Sequence, residues 1–256
     1  MNFKNRIKEA EQLQLEIYEF RPLSRNAAKQ LKEYYRTGLT YASNALEGNS
    51  LTESETKVVL EDGITIGGKP LKDHYETIGH GEAFDLLYKL GQKSEITEDQ
   101  IRQLHKLFYF RIDVKQAGCY RKTGVVVTGS TLDFPRPAAI KPAMQTFVAA
   151  MADKRAHSHP LEFAAWIHIG LVNIHPFVDG NGRTARLLMN LALLQAGYPI
   201  TIIPPVLRAD YIAALQASNR GNSEQFIKLL STMVCESQRE HIRLLRNLGG
   251  DQGLVH

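Results

Sequence analysis

The chain has 256 residues, 43% hydrophobic and 23% charged, which supplies material for a sizeable core, so disorder is not the default. Its formal charge of +4 is not gathered in a Lys/Arg block, so the composition does not indicate nucleic acid as a partner. The two cysteines, Cys119 and Cys235, lie far apart without metal or redox spacing and read as reduced thiols of a cytoplasmic protein.

The first residues, MNFKNRIKEAEQLQLEIYEF, carry charges throughout and do not form a secretory signal. Residues 1–50 are expected to form an N-terminal helical appendage, 51–246 a core domain and 247–256 a polar tail. Residues 26–47 place Ala28, Leu31, Tyr35, Leu39, Ala42 and Leu46 on one helical stripe, and Gly48 follows as a stop. TESE at 52–55 is a capping box that opens a short helix ending before Gly63. ITIGGKPL at 64–71 reads as a small hairpin or turn. A helix follows over about 71–90, and TEDQ at 97–100 caps another reaching about 110. GVVVTGSTLDF at 124–134 is the clear strand signal, a β-branched run returning through Gly-Ser, and Pro135 and Pro137 make it an edge hairpin.

Helices are then expected near 138–153, 160–174, 182–196, 208–219 and 223–246. The apolar run 187–207 approaches the length of a membrane span. Asn190, Gln195, Gly197, Pro199, Pro204 and Pro205 interrupt it, so it reads as a buried helix followed by an extended piece, and no membrane partner is expected. The fold class expected is all-α, a helical bundle with one small β-hairpin.

Several polar residues read as ordinary structure. His168 lies seven residues before His175 and reads as a satisfied core histidine. His74 and His80, with Glu76 and Glu82, lack shared helical facing for a metal and read as a partly exposed helix. HSH at 157–159 reads as an exposed loop, and Arg121 and Lys122 as solvated surface.

One stretch does not fit that pattern: IHPFVDGNGRTARLL, residues 174–188, sets polar and glycine-rich material inside an apolar region. His175 ends one helix, Pro176 breaks the turn, and a second helix begins near Gly182. The DGNG loop therefore feeds a helix N-terminus, whose unpaired N–H groups and dipole favour an anion. Glycines 180 and 182 let the backbone approach that anion closely. Arg183 and Arg186 share a face of the first turn, where two cations oppose the dipole and call for a polyanion such as a nucleotide phosphate chain. Beside such phosphates Asp179 is a candidate Mg²⁺ ligand. His175 has a pKa range suited to taking a proton from a hydroxyl. Together these parts describe nucleotide phosphate chemistry on a hydroxyl nucleophile.

HPFVDGNGRTAR fits the Fic motif, HxFx(D/E)GNGRxxR, at His175, Phe177, Asp179, Gly180, Asn181, Gly182, Arg183 and Arg186, so the sequence resembles the Fic domain family from about residue 40 to 230. GCYRKTGVVVTG and DYIAALQASNRGN extend the resemblance. It implies transfer of AMP from ATP to a Ser, Thr or Tyr hydroxyl of a protein target. It casts His175 as general base and Asp179 as the Mg²⁺ ligand. Gly180, Asn181 and Gly182 become the anion hole, Arg183 and Arg186 the phosphate clamps, and Phe177 an apolar plug. Tyr211 and Asn219 would frame the adenine side. The 124–134 hairpin would be a flap to which the target docks by adding a strand. Relatives of Doc type, which transfer a phosphoryl group, lack the GNGR spelling. Members of this class often dimerise, so a homodimer is among the expected partners.

SNALEGN at 43–49 is the second informative stretch. Ser43 and Glu47 share one face of the helix ending at Gly48, and a glutamate in a last turn opposes the dipole and wants a cation. Ser43, Glu47 and Gly48 resemble the Fic inhibitory motif, (S/T)xxxE(G/N), whose glutamate pairs with the second arginine of the Fic motif, here Arg186. The resemblance implies a self-inhibited enzyme. It leaves open removal of AMP from modified targets, and transfer of another nucleotide or a phosphoryl group. A nucleotide-binding regulatory module without turnover is the alternative of another class.

Overall fold

The computed structural model describes residues 3–126 and 133–249. The α-helices are α1 (Phe3–Glu19), α2 (Arg25–Ala45), α3 (Glu53–Glu61), α4 (Leu71–Leu90), α5 (Glu98–Tyr109), α6 (Pro137–Ala149), α7 (Met151–His157), α8 (Pro160–Ile174), α9 (Asn181–Gln195), α10 (Arg208–Asn219) and α11 (Glu224–Gly249). A 3₁₀ turn at Pro205–Leu207 leads into α10. Local chemistry starts these helices where the sequence signals them. Thr52 and Glu55 exchange capping-box bonds of 2.7 and 3.2 Å, and Thr97 and Gln100 exchange bonds of 3.0 and 3.2 Å.

Among the described residues there is no strand, so the observed class is all-α. The turn of the expected hairpin, 127–132, lies outside the described residues, and the flanking 124–126 and 133–134 have no regular structure. At 64–71 the chain makes a turn without strands, closed by Lys69 N–H donating to Ile66 O at 3.4 Å. The single helix expected over 138–153 is two helices, α6 and α7, that meet at Ala150. The last residues, 250–256, lie outside the described residues.

The packing places α9 at the centre. α8 packs along α9, α4 against α2, α3, α5 and α9, and α1 along α11. Every residue of α9 from Arg183 to Leu193 is buried, so its polar residues must find partners inside the protein. One apolar cluster runs from Ala10 and Ile17 of α1 through Leu31, Tyr35, Phe84, Phe108, Leu171, Phe177 and Leu188 to Leu245 of α11. Each large side chain fully buried there contributes about 1.5–3 kcal/mol. No helix among the described residues is long and apolar enough to cross a membrane.

α4 is a partly exposed helix, as its sequence suggests, but His74, Glu76 and His80 do not lie on its exposed side. Four elements pack around it, and Asp73, His74, Glu76, Thr77 and His80 are all buried. Most are satisfied internally. Asp73 accepts from Ser50 N and Oγ at 2.7 and 2.6 Å, and His74 accepts from Ile66 N at 2.8 Å. Glu82 lies apart from them in a bidentate pair with Arg111, both bonds 2.7 Å. Among the described residues no group of three or more His, Cys, Asp or Glu side chains is placed to hold a metal. At 157–159, His159 is the N-cap of α8 and its side chain is mostly buried, while His157 alone stays exposed.

Candidate active site

The site forms where α8 ends and α9 begins. His175 caps α8 in the left-handed region, φ 50° and ψ 57°, and is the one non-glycine residue with positive φ among the described residues. Its N–H still closes the last helical turn on Leu171 O at 2.9 Å, so the turn is ordered. Its Nδ1 lies 3.3 Å from Val172 O, a group that only accepts, which assigns the proton to Nδ1 and leaves Nε2 with its lone pair. Burial holds the imidazole below its ordinary pKa, against the raising effect of Val172 O. The ring is neutral at pH 7 and equipped to accept a proton.

The loop to α9 is built from its own side chains. Phe177 is fully buried and stacks face to face on His105, with centroids 3.7 Å apart. Asn181 Oδ1 accepts from Phe177 N at 2.9 Å and Asn181 Nδ2 donates to Phe177 O at 2.9 Å. The Asn181 side chain thus ties the loop, and only its backbone N–H faces the role of anion donor. Gly180 has φ 75°, and a Cβ there would stand 2.7 Å from the Phe108 ring, so conformation and space both require glycine. Asp179 Oδ1 accepts from Gly180 N at 2.6 Å and from Arg183 Nη2 at 3.3 Å. Its Oδ2 lies 4.0 Å from Lys72 Nζ, on a side chain 44% exposed.

Arg183 and Arg186 are both buried, each with a carboxylate from outside the 174–188 stretch. Arg183 stacks over Phe108 at 4.3 Å, and its Nη1 stands 2.8 Å from Glu76 Oε1 of α4. Arg186 donates from Nε to Ser43 Oγ at 2.9 Å and from Nη1 to Tyr211 OH at 3.1 Å. Its Nη2 donates to Ser43 O at 2.7 Å and to Glu47 Oε1 at 2.8 Å. A side chain on Gly182 would collide with that same Glu47 oxygen. The Glu47 carboxylate therefore rests against the N-terminus of α9, the place where an anion is most favoured. Burial raises its pKa, but the charges of Arg186 and Arg183 outweigh that and leave it below the ordinary glutamate value.

Of the sequence candidates, Ser43, Glu47, Gly182, Arg186 and Tyr211 thus meet in one cluster, and Asp179, Gly180 and Arg183 adjoin it. Gly48 ends the α2 turn at φ 94° and has no role in the contact beyond that turn. Tyr211 lies beneath Arg186 and also contacts His168 Nε2 at 3.1 Å. Fully buried and stacked on Phe226, His168 is held well below its ordinary pKa by burial, as a core histidine would be. Asn219 closes α10 with its Oδ1 buried and unbonded, outside the Arg186 cluster.

Three residues of the site were not legible as such. Glu76 pairs with Arg183 and accepts from Asn49 Nδ2 at 2.9 Å, which links it to the segment just after Glu47. His105 accepts from Gly118 N at 2.9 Å, so its Nε2–H donates to Asp179 O at 3.1 Å, and burial pulls its pKa down to about 4. Arg121 is 2% exposed and donates to His175 O, which corrects its reading as surface. No local pattern marks any of them, since their partners in the 174–188 stretch lie 54 to 107 positions away in chain.

The donor set fits a hard divalent cation bound together with a substrate. Asp179 is hydrogen-bonded through Oδ1 on a side chain 44% exposed, which leaves Oδ2 to a cation, and Mg²⁺ is commonly held by one or two carboxylates plus substrate phosphates. The arrangement can neutralise a polyanion with two guanidiniums and the leading amides of α9, beside a neutral imidazole.

Residues 95–193 match the Fic/DOC family. Protein adenylyltransferase Fic of Nematostella vectensis is 40% identical over 204 residues, 78% of this chain and 47% of that protein. Its Drosophila grimshawi counterpart is 38% identical over 193 residues, 75% of this chain and 40% of that one. The chain thus spans less than half the length of these relatives. A solved structure of a Fic-1 fragment from C. elegans superposes with a TM-score of 0.85 at 30% identity, covering 96% of this chain and 73% of that one. A Fic domain containing signaling protein from Bacteroides thetaiotaomicron also gives 0.85, at 27% identity. With its motif assembled at one helix junction and its fold shared along nearly its whole length, the chain belongs to the Fic/DOC family.

Proposed function

We propose that this chain transfers AMP from ATP to a hydroxyl of a protein side chain, Ser, Thr or Tyr, and that Glu47 restrains it. The observation that carries the reading is the seat of the Glu47 carboxylate, 2.8 Å from Arg186 and against Gly182. An internal anion occupies a helix N-terminus lined by two arginines, so the site is built for anions. The relatives named protein adenylyltransferase supply the nucleotide.

In the transfer, Nε2 of His175 takes the proton of the target hydroxyl as its oxygen attacks the α-phosphorus and pyrophosphate leaves. The amides of Gly182 and Arg183 and the two guanidiniums receive the developing phosphate charge, the larger part of the rate. Asp179 would hold Mg²⁺, which supplies charge neutralisation on the phosphates when bound. Arg186 cannot serve both Glu47 and a γ-phosphate, and freeing it is the switch. The target docks along 124–134. The same carboxylate, its side chain a third exposed, is able to orient a water for removal of AMP from a modified target.

Glu47→Gly protein incubated with α-labelled and γ-labelled ATP tests the donor chemistry. Label retained on protein from the α position alone is the expected result. Retention of γ label would convert the reading to phosphoryl transfer, and absence of both would leave a nucleotide-binding module without turnover.

A further inference from the structure

Arg121 stands between two parts of the molecule that the reaction must bring together. It follows α5 and precedes the segment 124–134, and it is among the largest fully buried side chains. Among the described residues no carboxylate lies within ion-pair distance of it. Its guanidinium is instead spent on three carbonyls. Nε donates to His175 O at 2.8 Å, Nη1 to Thr123 O at 2.8 Å and Nη2 to Pro135 O at 2.6 Å. Its own N–H donates to Pro176 O at 2.9 Å. One side chain thus grips the residue proposed as base and both ends of the segment where the target is proposed to dock.

The conformation of His175 gives this grip its consequence. A β-carbon is disfavoured in the left-handed region, and such a residue stays there only when its surroundings hold it. The φ and ψ of His175 set the direction of its Cβ and so the position of the imidazole. Its N–H is fixed on α8, and its carbonyl is fixed by Arg121. A lysine retains the charge at this place but cannot span three carbonyls, which a planar fork of five N–H donors does.

Resting on the AMP-transfer reading above, we infer that Arg121 is a positioning residue, which holds His175 in its left-handed conformation and registers it with the two ends of the docking segment. It bonds to no residue of the arginine and amide cradle of α9. Its loss acts on the chemical step with a docked hydroxyl and spares ATP binding.

The test uses Arg121→Lys and Arg121→Ala in the Glu47→Gly protein, with thermal melting to establish folding. The expected result for Arg121→Lys is a fall in kcat of roughly 10- to 100-fold with the KM for ATP within about twofold, the scale of a lost charge-assisted hydrogen bond. Ethylguanidinium is expected to restore part of the rate to Arg121→Ala, and ethylammonium is not. A second arm needs no turnover: in histidine-labelled protein the His175 imidazole resonance, assigned with His175→Ala, is expected to shift or broaden in Arg121→Lys while those of His80 and His168 stay. If Glu47→Gly transfers no AMP, the functional reading fails, and the resonance arm still decides the role of Arg121. A resonance unmoved by Arg121→Lys, a kcat within twofold of the parent, or a KM that rises with kcat unchanged would each overturn the inference. Unfolding of both variants would overturn it too, by making Arg121 a requirement of the fold.

Discussion

Arg186 and Arg121 are equally buried, each about 2% exposed, and each makes bonds across the site, yet their partners differ in kind. Arg186 has one carboxylate among its partners, Glu47, and three neutral oxygens from Ser43 and Tyr211. Arg121 has carbonyls only. A carboxylate a third exposed can be displaced by a phosphate, because the buried guanidinium keeps a negative partner through the exchange. Buried carbonyls at the ends of two elements have no such substitute. On the proposed reading one arginine is contested and the other forms part of the frame, although nothing in burial alone separates them.

The largest expected break of that comparison is Arg186→Ala in the Glu47→Gly protein. AMP transfer is expected to fall roughly 10²- to 10³-fold with a raised KM for ATP, as for loss of a charged transition-state donor. Arg121→Lys is expected to leave that KM alone, so initial rates against ATP concentration separate a contested arginine from a framing one. Equal KM values for the two variants would erase the distinction.

A smaller effect sharpens the nature of the contest. Glu47→Gln keeps the shape and loses the charge, and a neutral hydrogen bond has roughly half the strength of a charge-assisted one. Transfer by Glu47→Gln is expected to exceed wild type by about tenfold and to stay below Glu47→Gly. A rate equal to that of wild type would show that shape, not charge, holds Arg186.

The smallest effect concerns pH. Burial lowers the pKa of His175, so the base is neutral above its folded value and is lost only as pH falls through it. Between pH 8 and 6.5 the kcat of Glu47→Gly is therefore expected to fall by less than about twofold, with the acid limb below 6.5. An acid limb centred above 7 would mean that another group supplies the base.

What could be read from the sequence follows from where the information is local. His175, Asp179, Gly180, Gly182, Arg183 and Arg186 lie within twelve positions, and a loop feeding a helix N-terminus constrains them without knowledge of the rest. The helices expected near 71–90, 160–174 and 208–219 are observed at those bounds. Glu47 was reachable because a glutamate in a last helical turn lacks a local partner. By contrast, Arg121 sits beside Lys122 and looks like surface until α8 and the 135 end of the chain close over it. Glu76 and His80 look like one side of an exposed helix, because α4 is wrapped on several faces and loses the alternation that a one-sided helix shows. The expectation that Asn181 belongs to the anion hole did not show that its side chain ties the loop to Phe177.

The central claim is that the carboxylate of Glu47 holds the site shut by pairing with Arg186. Intact-mass measurement of wild-type and Glu47→Gly protein, each incubated with ATP and Mg²⁺, tests it most directly. The account predicts a mass increase of one AMP on Glu47→Gly, little on wild type and none when His175→Ala is added. Equal AMP incorporation by wild type and Glu47→Gly would contradict it.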